Sequence, residues 1–286
     1  MAMREGSTVT RRAGCAALAL VFVHVLAPVA APAPPPPTTG TATADDRSWR
    51  DWNDLLRRHV RGDLVDYAGF ERDREILSRV LKRLAGPPPP ARNDEIAFWI
   101  NAYNAATVDL IVRERKARGG RLRSIKDIPS PWTRPRWRIG GAERTLDEIE
   151  HEILRRRFRE PRIHFALVCA SRSCPALRSS AYRGAFLDAQ LDSAAREFLL
   201  DPTRNRFEPE NGRIRISKIF DWYGTDFINV SHDPALTRLY GEENGAALAY
   251  AVRFLPAATA EKLRSSKHRV EFLPYDWSLN SGGNAG

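Results

Sequence analysis

The sequence predicts an α+β fold, a helix-rich single domain packed around a small, largely antiparallel sheet. Three observations predict it. Apolar residues recur at helical spacing, beginning with Trp49, Trp52, Leu55, Leu56 and Val60. A few short alternating runs, bounded by turn residues, supply strands. Hydrophobic residues make up 43% and charged residues 28% of the 286, ordinary values for a chain with a real core.

Before that domain, Arg11 and Arg12 precede the apolar run CAALALVFVHVLAPVAA, Cys15 to Ala31. A positive region, a short apolar stretch and small residues are the parts of a secretory signal peptide, expected over residues 1–33. A retained N-terminal membrane anchor is the alternative to cleavage. Residues 34–46 are rich in proline, threonine and alanine without apolar periodicity and read as an extended linker. The globular domain is expected over 47–280 and a disordered tail over 281–286. Export implies a periplasmic or secreted, envelope-associated protein. Removing residues 1–33 takes away three arginines and one glutamate and lowers the formal charge from +10 to +8. The remaining arginines are scattered, with no aromatic-interleaved basic patch, so no nucleic-acid partner is expected. The partner is expected to be a small molecule or an envelope component.

Within the domain, Phe70 to Leu84 reads as a second amphipathic helix, ended by Gly86 and four prolines. The third helix, EIAFWINAYNAATVDLIVRER capped by Asp94, is apolar on every side and belongs in the middle of the core. WRIGG followed by ERTL makes a tight hairpin. Thr145 to Glu148 is a capping box that starts another helix. RIHFALVCA, Arg162 to Ala170, is the strongest strand, and Cys174-Pro175 reads as a helix start. A helix over Ala185 to Leu200 follows. Asn211-Gly212 joins two short strands, and Ser217 caps a short helix closed by Gly224. Three further helices and a strand at Val270 to Leu273 complete the domain.

FWINAYNAATVDLIV, SIKDI, TLDEIEHEIL, HFALVCASRSCPALR, ISKIFDWYGTDF and YDWSLN occur in this order. Together they resemble the family catalogued as domain of unknown function 547, from about Val65 to Asn280. The resemblance carries no activity over to this chain. A buried helix beside a sheet, then a strand bearing histidine, is also similar to papain-like and transglutaminase-like thiol enzymes. Asn101 stands where such an enzyme would carry its cysteine.

Three readings of the chemistry stay open. In the first, Cys169 and Cys174 form a disulfide, as an even pair does in an oxidising compartment, and a polar pocket binds a ligand. Asn101 and Asn104, one turn apart in the buried helix, need hydrogen-bond partners. They bond a neighbouring loop or line that pocket with Tyr103, Arg178 and Asp221. In the second, Cys174 is a nucleophile whose pKa is depressed at a helix N-terminus. His164 is then its general base, oriented by Glu150, Asn104 or Asp221, and the chemistry is hydrolysis or acyl transfer. In the third, the two cysteines are a thiol–disulfide redox pair. The aromatic-acidic stretches DWYGTDF and YDWSLN pack as plugs or form a ligand rim. His151 sits between glutamates without a second histidine one turn away, so no metal is expected, and no cofactor motif occurs. Whether the protein is an enzyme is left open by these residues.

Overall fold

The computed structural model describes residues 49–282; the expected signal peptide and linker lie outside them, as does most of the expected tail. The chain is α+β and helix-rich, with three small sheets of two or three strands. The helix α1 (Arg50–His59) leads into a two-residue hairpin, β1 (Val60–Arg61) and β2 (Leu64–Val65). The expected second helix is two, α2 (Tyr67–Arg72) and α3 (Arg74–Leu84), parted at Asp73.

The helix α4 (Arg92–Ala117) is the pillar of the molecule. Every residue from Glu95 to Val112 is buried. A helix with no polar face has no solvent side to turn outward, so elements pack around it on all sides. The hairpin β3 (Trp137–Ile139) and β4 (Ala142–Arg144) turns at Gly140 and Gly141, both with positive φ. Gly140 lies so close to the Trp99 ring that any Cβ there would clash. The capping box forms as expected, with Thr145 N–H donating to Glu148 and Glu148 N–H to Thr145. The helix it starts, α5 (Glu148–Phe158), is wound as a π-helix and ends at Arg159 in the left-handed region. Arg157 clamps its end to α4 through a two-pronged pair with Glu95, at 2.7 and 2.8 Å.

The expected strand Arg162 to Ala170 does not form. Residues Pro161–Phe165 make a 3₁₀ turn, and the chain then runs on without a strand partner. The reason is tertiary. Ile163, Ala166, Leu167 and Val168 belong to the core around α4. Phe165 belongs to a second core, where it packs on Phe198, Phe220, Phe227 and Tyr250. The segment lies between two cores, so its alternating apolar residues serve both sides without a ladder. Asn104 supplies the hydrogen bonds that a neighbouring strand would have given. Its amide nitrogen donates to the Ala166 carbonyl, and its oxygen accepts from Val168 N–H, both at 3.0 Å. No helix starts at Cys174-Pro175 either; the chain stays irregular until the 3₁₀ turn Gly184–Phe186 that opens α6 (Leu187–Leu200).

The second core is covered by a three-stranded sheet in the order β5 (Arg206–Glu208), β6 (Arg213–Ile216), β7 (Arg269–Phe272). The first pair is antiparallel around Gly212, and the second is parallel. Four helices pack on it: α7 (Lys218–Ile228), α8 (Pro234–Tyr240), α9 (Glu242–Ala251) and α10 (Ala257–Ser265). Ser217 caps α7 as expected, but the helix continues past Gly224 after a kink at Tyr223. The C-terminal segment then returns to the first core as a strap. It pairs with Ser124, Ser171 and Val65 in turn, and Gly282 N–H still reaches the Val65 carbonyl. Ordered pairing thus extends beyond the expected boundary at residue 280.

Candidate functional site

Where the two cores meet, the described residues enclose a cavity of about 490 Å³. That volume suits a small organic ligand. One side comes from α4 and α5, through Tyr103 and Glu150. Another comes from the irregular segment, through His164, Leu167, Cys169 and Cys174. The kink of α7 and the C-terminal strap bring Trp222, Tyr223, Tyr275 and Trp277 to its edge. The aromatic-acidic stretches are therefore a rim. Trp222 stacks on Trp277 with ring centroids 5.7 Å apart and is 43% exposed. Tyr275 fits between them at 4.8 and 4.6 Å, and the Lys126 ammonium lies 3.9 Å above Trp277.

The disulfide expected from the sequence is not formed; Cys169 and Cys174 are free thiols. A tight turn brings them together, with Cys174 N–H donating to the Ser171 carbonyl at 3.2 Å and Ala170 in the left-handed region. The turn is held from outside. Arg172 and Ser173 N–H groups donate to the Ser278 and Asp276 carbonyls, and Asn280 N–H donates to the Ala170 carbonyl.

The two thiols have different surroundings. Cys174 is 3% exposed; its sulfur accepts the Cys169 N–H at 2.7 Å. Burial pushes its thiol well above the ordinary value, and the neighbouring Cys169 sulfur adds to that. Cys169 is partly exposed at the cavity wall, with Ser171 Oγ at 3.1 Å and Tyr275 Oη at 3.3 Å from its sulfur. Burial raises this thiol too. Hydrogen bonds from Cys174, Ser171 and Tyr275 outweigh it and lower Cys169 to about 7. Tyr275 stays protonated, because burial and the two nearby sulfurs push its hydroxyl far up, so it remains a donor. The alternative in which Cys174 is the nucleophile rests on a helix start at Cys174-Pro175. Without that helix the dipole argument falls, and the donors converge on Cys169 instead.

His164 is almost fully buried. Its Nε2 lies 2.7 Å from Asp226 Oδ2, and its ring stacks on Tyr223 at 4.1 Å, 18° from parallel. Asp226 also accepts two hydrogen bonds from Arg155, at 2.7 and 2.9 Å. Burial alone would raise this carboxyl; His164 and Arg155 outweigh burial and hold it far below the usual carboxylate range. The ionised Asp226 fixes the imidazole tautomer, with Nε2 as the donor and Nδ1 as the basic nitrogen.

Glu150 sits beside this pair, accepting the Tyr103 hydroxyl at 3.0 Å and the Tyr223 hydroxyl at 2.8 Å. Burial first, and Glu150 second, raise both tyrosines, which keeps them as donors. The wide turn of α5 brings Glu150, His151 and Arg155 all to Tyr223, the last with its guanidinium 4.8 Å from the ring.

Of the residues singled out from the sequence, Tyr103, Glu150, His164, Cys169 and Cys174 border this cavity. Asn101 does not; its side chain holds the Tyr182 main chain through N–H and carbonyl, at 2.9 and 2.8 Å. Asn104 is committed to residues 166 and 168 in the same way. Arg178 borders a separate small cavity of about 50 Å³, and Asp221 pairs with Lys218 at the surface. Asp226, Arg155, Ser171 and Tyr275 were not picked out. Ser171 and Tyr275 lay inside quoted motifs, but nothing in the sequence joins positions 171 and 275. Among the described residues no group of three or more histidine, cysteine or acidic side chains could hold a metal ion, and no helix is long and apolar enough to cross a membrane.

Comparison with known families is decided by the central helix and the segment behind it. Residues 90–199 match the family described as protein of unknown function, DUF547. The match covers α4, α5, both cysteines and His164, and stops before DWYGTDF and YDWSLN, a shorter span than the motifs implied. Asp226 and Tyr275 therefore come from outside the matched DUF547 region. No curated protein and no solved structure matches the chain.

Proposed function

We propose that this domain is a thiol-dependent hydrolase or acyltransferase, with Cys169 as nucleophile and the His164–Asp226 pair as its proton carrier. One observation carries the reading. Two hydroxyl groups, Ser171 Oγ at 3.1 Å and Tyr275 Oη at 3.3 Å, converge on the Cys169 sulfur at the wall of a cavity that His164 also borders. In this reading the Cys169 sulfur attacks the carbonyl carbon of a ligand lying along the aromatic rim. The thiol proton passes to His164 Nδ1 and on to the departing amine or alcohol. Water or a second nucleophile, giving its proton to Nδ1, then cleaves the thioester and restores the thiol. Asp226 stays ionised throughout and stabilises the imidazolium. The leader-like residues 1–33 support an exported, envelope-located enzyme.

The test uses the reduced full chain and an activated ester such as p-nitrophenyl acetate. We expect a burst of one p-nitrophenolate per chain and an acetyl group on Cys169 by mass spectrometry. Cys169→Ser should abolish the burst, and Cys174→Ser, whose hydroxyl can donate where the thiol did, should keep it. A burst that survives Cys169→Ser, or no burst at all from folded reduced protein, contradicts the reading.

A further inference from the structure

The proposed acyl chemistry needs one nucleophilic thiol, yet a second, Cys174, lies directly against Cys169. Its sulfur takes the Cys169 N–H at 2.7 Å, and its own thiol points to the Leu167 carbonyl at 3.8 Å. Both residues line the same cavity. The main chain between them is already folded back by the Ser171–Cys174 turn and held by the C-terminal strap. The loop that a bond between the sulfurs would close is therefore already short and closed by main-chain hydrogen bonds. The two thiols are also unequal in the way that thiol–disulfide exchange requires. One is partly exposed, surrounded by donors and readily ionised. The other is buried and held protonated until its neighbour has reacted.

We propose that Cys169 and Cys174 form a reversible disulfide by exchange with a low-molecular-weight disulfide entering the cavity, and that this exchange switches the acyl-transfer site off. The proposal rests on the Cys169 thiolate of the function proposed above. In the first step the Cys169 thiolate attacks one sulfur of the incoming disulfide; a mixed disulfide forms, and the other half leaves as a thiolate. In the second step Cys174 gives its proton to the thiolate released in the first and attacks the Cys169 sulfur. The protein disulfide forms, and the second half leaves as a thiolate. Two protein thiols are oxidised, one disulfide is reduced to two thiols, and the nucleophile is consumed. An excess of small thiol runs both steps backward.

The full chain, reduced and then equilibrated in glutathione buffers of graded oxidised fraction, is quenched with an alkylating agent and weighed. The expected product has Cys169 and Cys174 joined with the loss of two hydrogens, takes up no alkyl group and no glutathione at either of them, whatever the third cysteine, Cys15, carries, and gives no ester burst. Added dithiothreitol should restore two alkylation sites and the burst. Cys174→Ser should stop at the mixed disulfide, with one glutathione on Cys169. Cys169→Ser should react at least tenfold more slowly. A wild-type chain that keeps glutathione on Cys169, or stays fully reduced in oxidised glutathione, overturns the switch. If that chain still gives its ester burst, the acyl-transfer reading stands and only the switch is lost.

Discussion

Replacing Asp226 by asparagine is expected to slow turnover of the acyl-enzyme by roughly 10³- to 10⁴-fold, as loss of an orienting carboxylate does in hydrolytic triads. The carboxylate accepts from His164 Nε2 at 2.7 Å and from Arg155 twice. An amide at this position offers one acceptor and two donors. If its oxygen faces Arg155, its NH₂ faces Nε2 and turns the imidazole to the other tautomer. Nδ1 then carries the proton and cannot take one from water. The Cys169 thiol owes its ionisation to Cys174, Ser171 and Tyr275, so its alkylation should stay within about threefold of wild type, well under the effect on turnover. The measurement is single-turnover decay of the p-nitrophenyl acetate acyl-enzyme beside the alkylation rate of the same variant. Equal losses in both would mean that the His164–Asp226 pair sets the ionisation of the resting thiol and contributes nothing further at the leaving group and water.

The second large effect concerns stability. Asn104→Ala is expected to destabilise the domain by roughly 2–5 kcal/mol, because the Ala166 carbonyl and the Val168 N–H, both buried, lose their partner together. In a domain of this size that corresponds to a fall in melting temperature of roughly 5–15 °C. Asn104→Asp should do no better, since a carboxylate accepts from Val168 but cannot donate to Ala166 and brings a charge into the core. Thermal unfolding of the two variants by circular dichroism checks this. A loss below about 1 kcal/mol for Asn104→Ala would mean that the segment is held by packing alone.

These two side chains mark what the sequence could tell. The central helix was legible because a run apolar on all sides has one physical interpretation. Its asparagines were legible as groups needing partners. The Thr145–Glu148 box, the Gly140-Gly141 and Asn211-Gly212 turns and the Ser217 cap were legible because each is a local hydrogen-bond or backbone requirement. The segment from Arg162 to Ala170 was misread for the converse reason. Alternation there reflects two cores meeting, and its polar partners come from Asn104, some sixty residues earlier in the chain. With the strand went the helix start at Cys174, and with that the argument for Cys174 as nucleophile. Asp226 was hidden because DWYGTDF offers two acids and the kink at Tyr223 decides which one faces inward. Asp221 ends on the surface with Lys218, and Asp226 meets His164.

The central claim is that Cys169, and not Cys174, is the activated thiol. Site-resolved alkylation of the reduced full chain by iodoacetamide, from about pH 5 to about pH 9, tests it most directly. The thiolate is the reacting form, so the rate must rise as pH passes upward through the thiol's pKa and level off above it. Cys169 is expected to be labelled ahead of Cys174, with a midpoint below that of an ordinary thiol, at about 7, while Cys174 stays unlabelled through neutral pH. Labelling of Cys174 ahead of Cys169, or a Cys169 profile still climbing at the alkaline end, would contradict it.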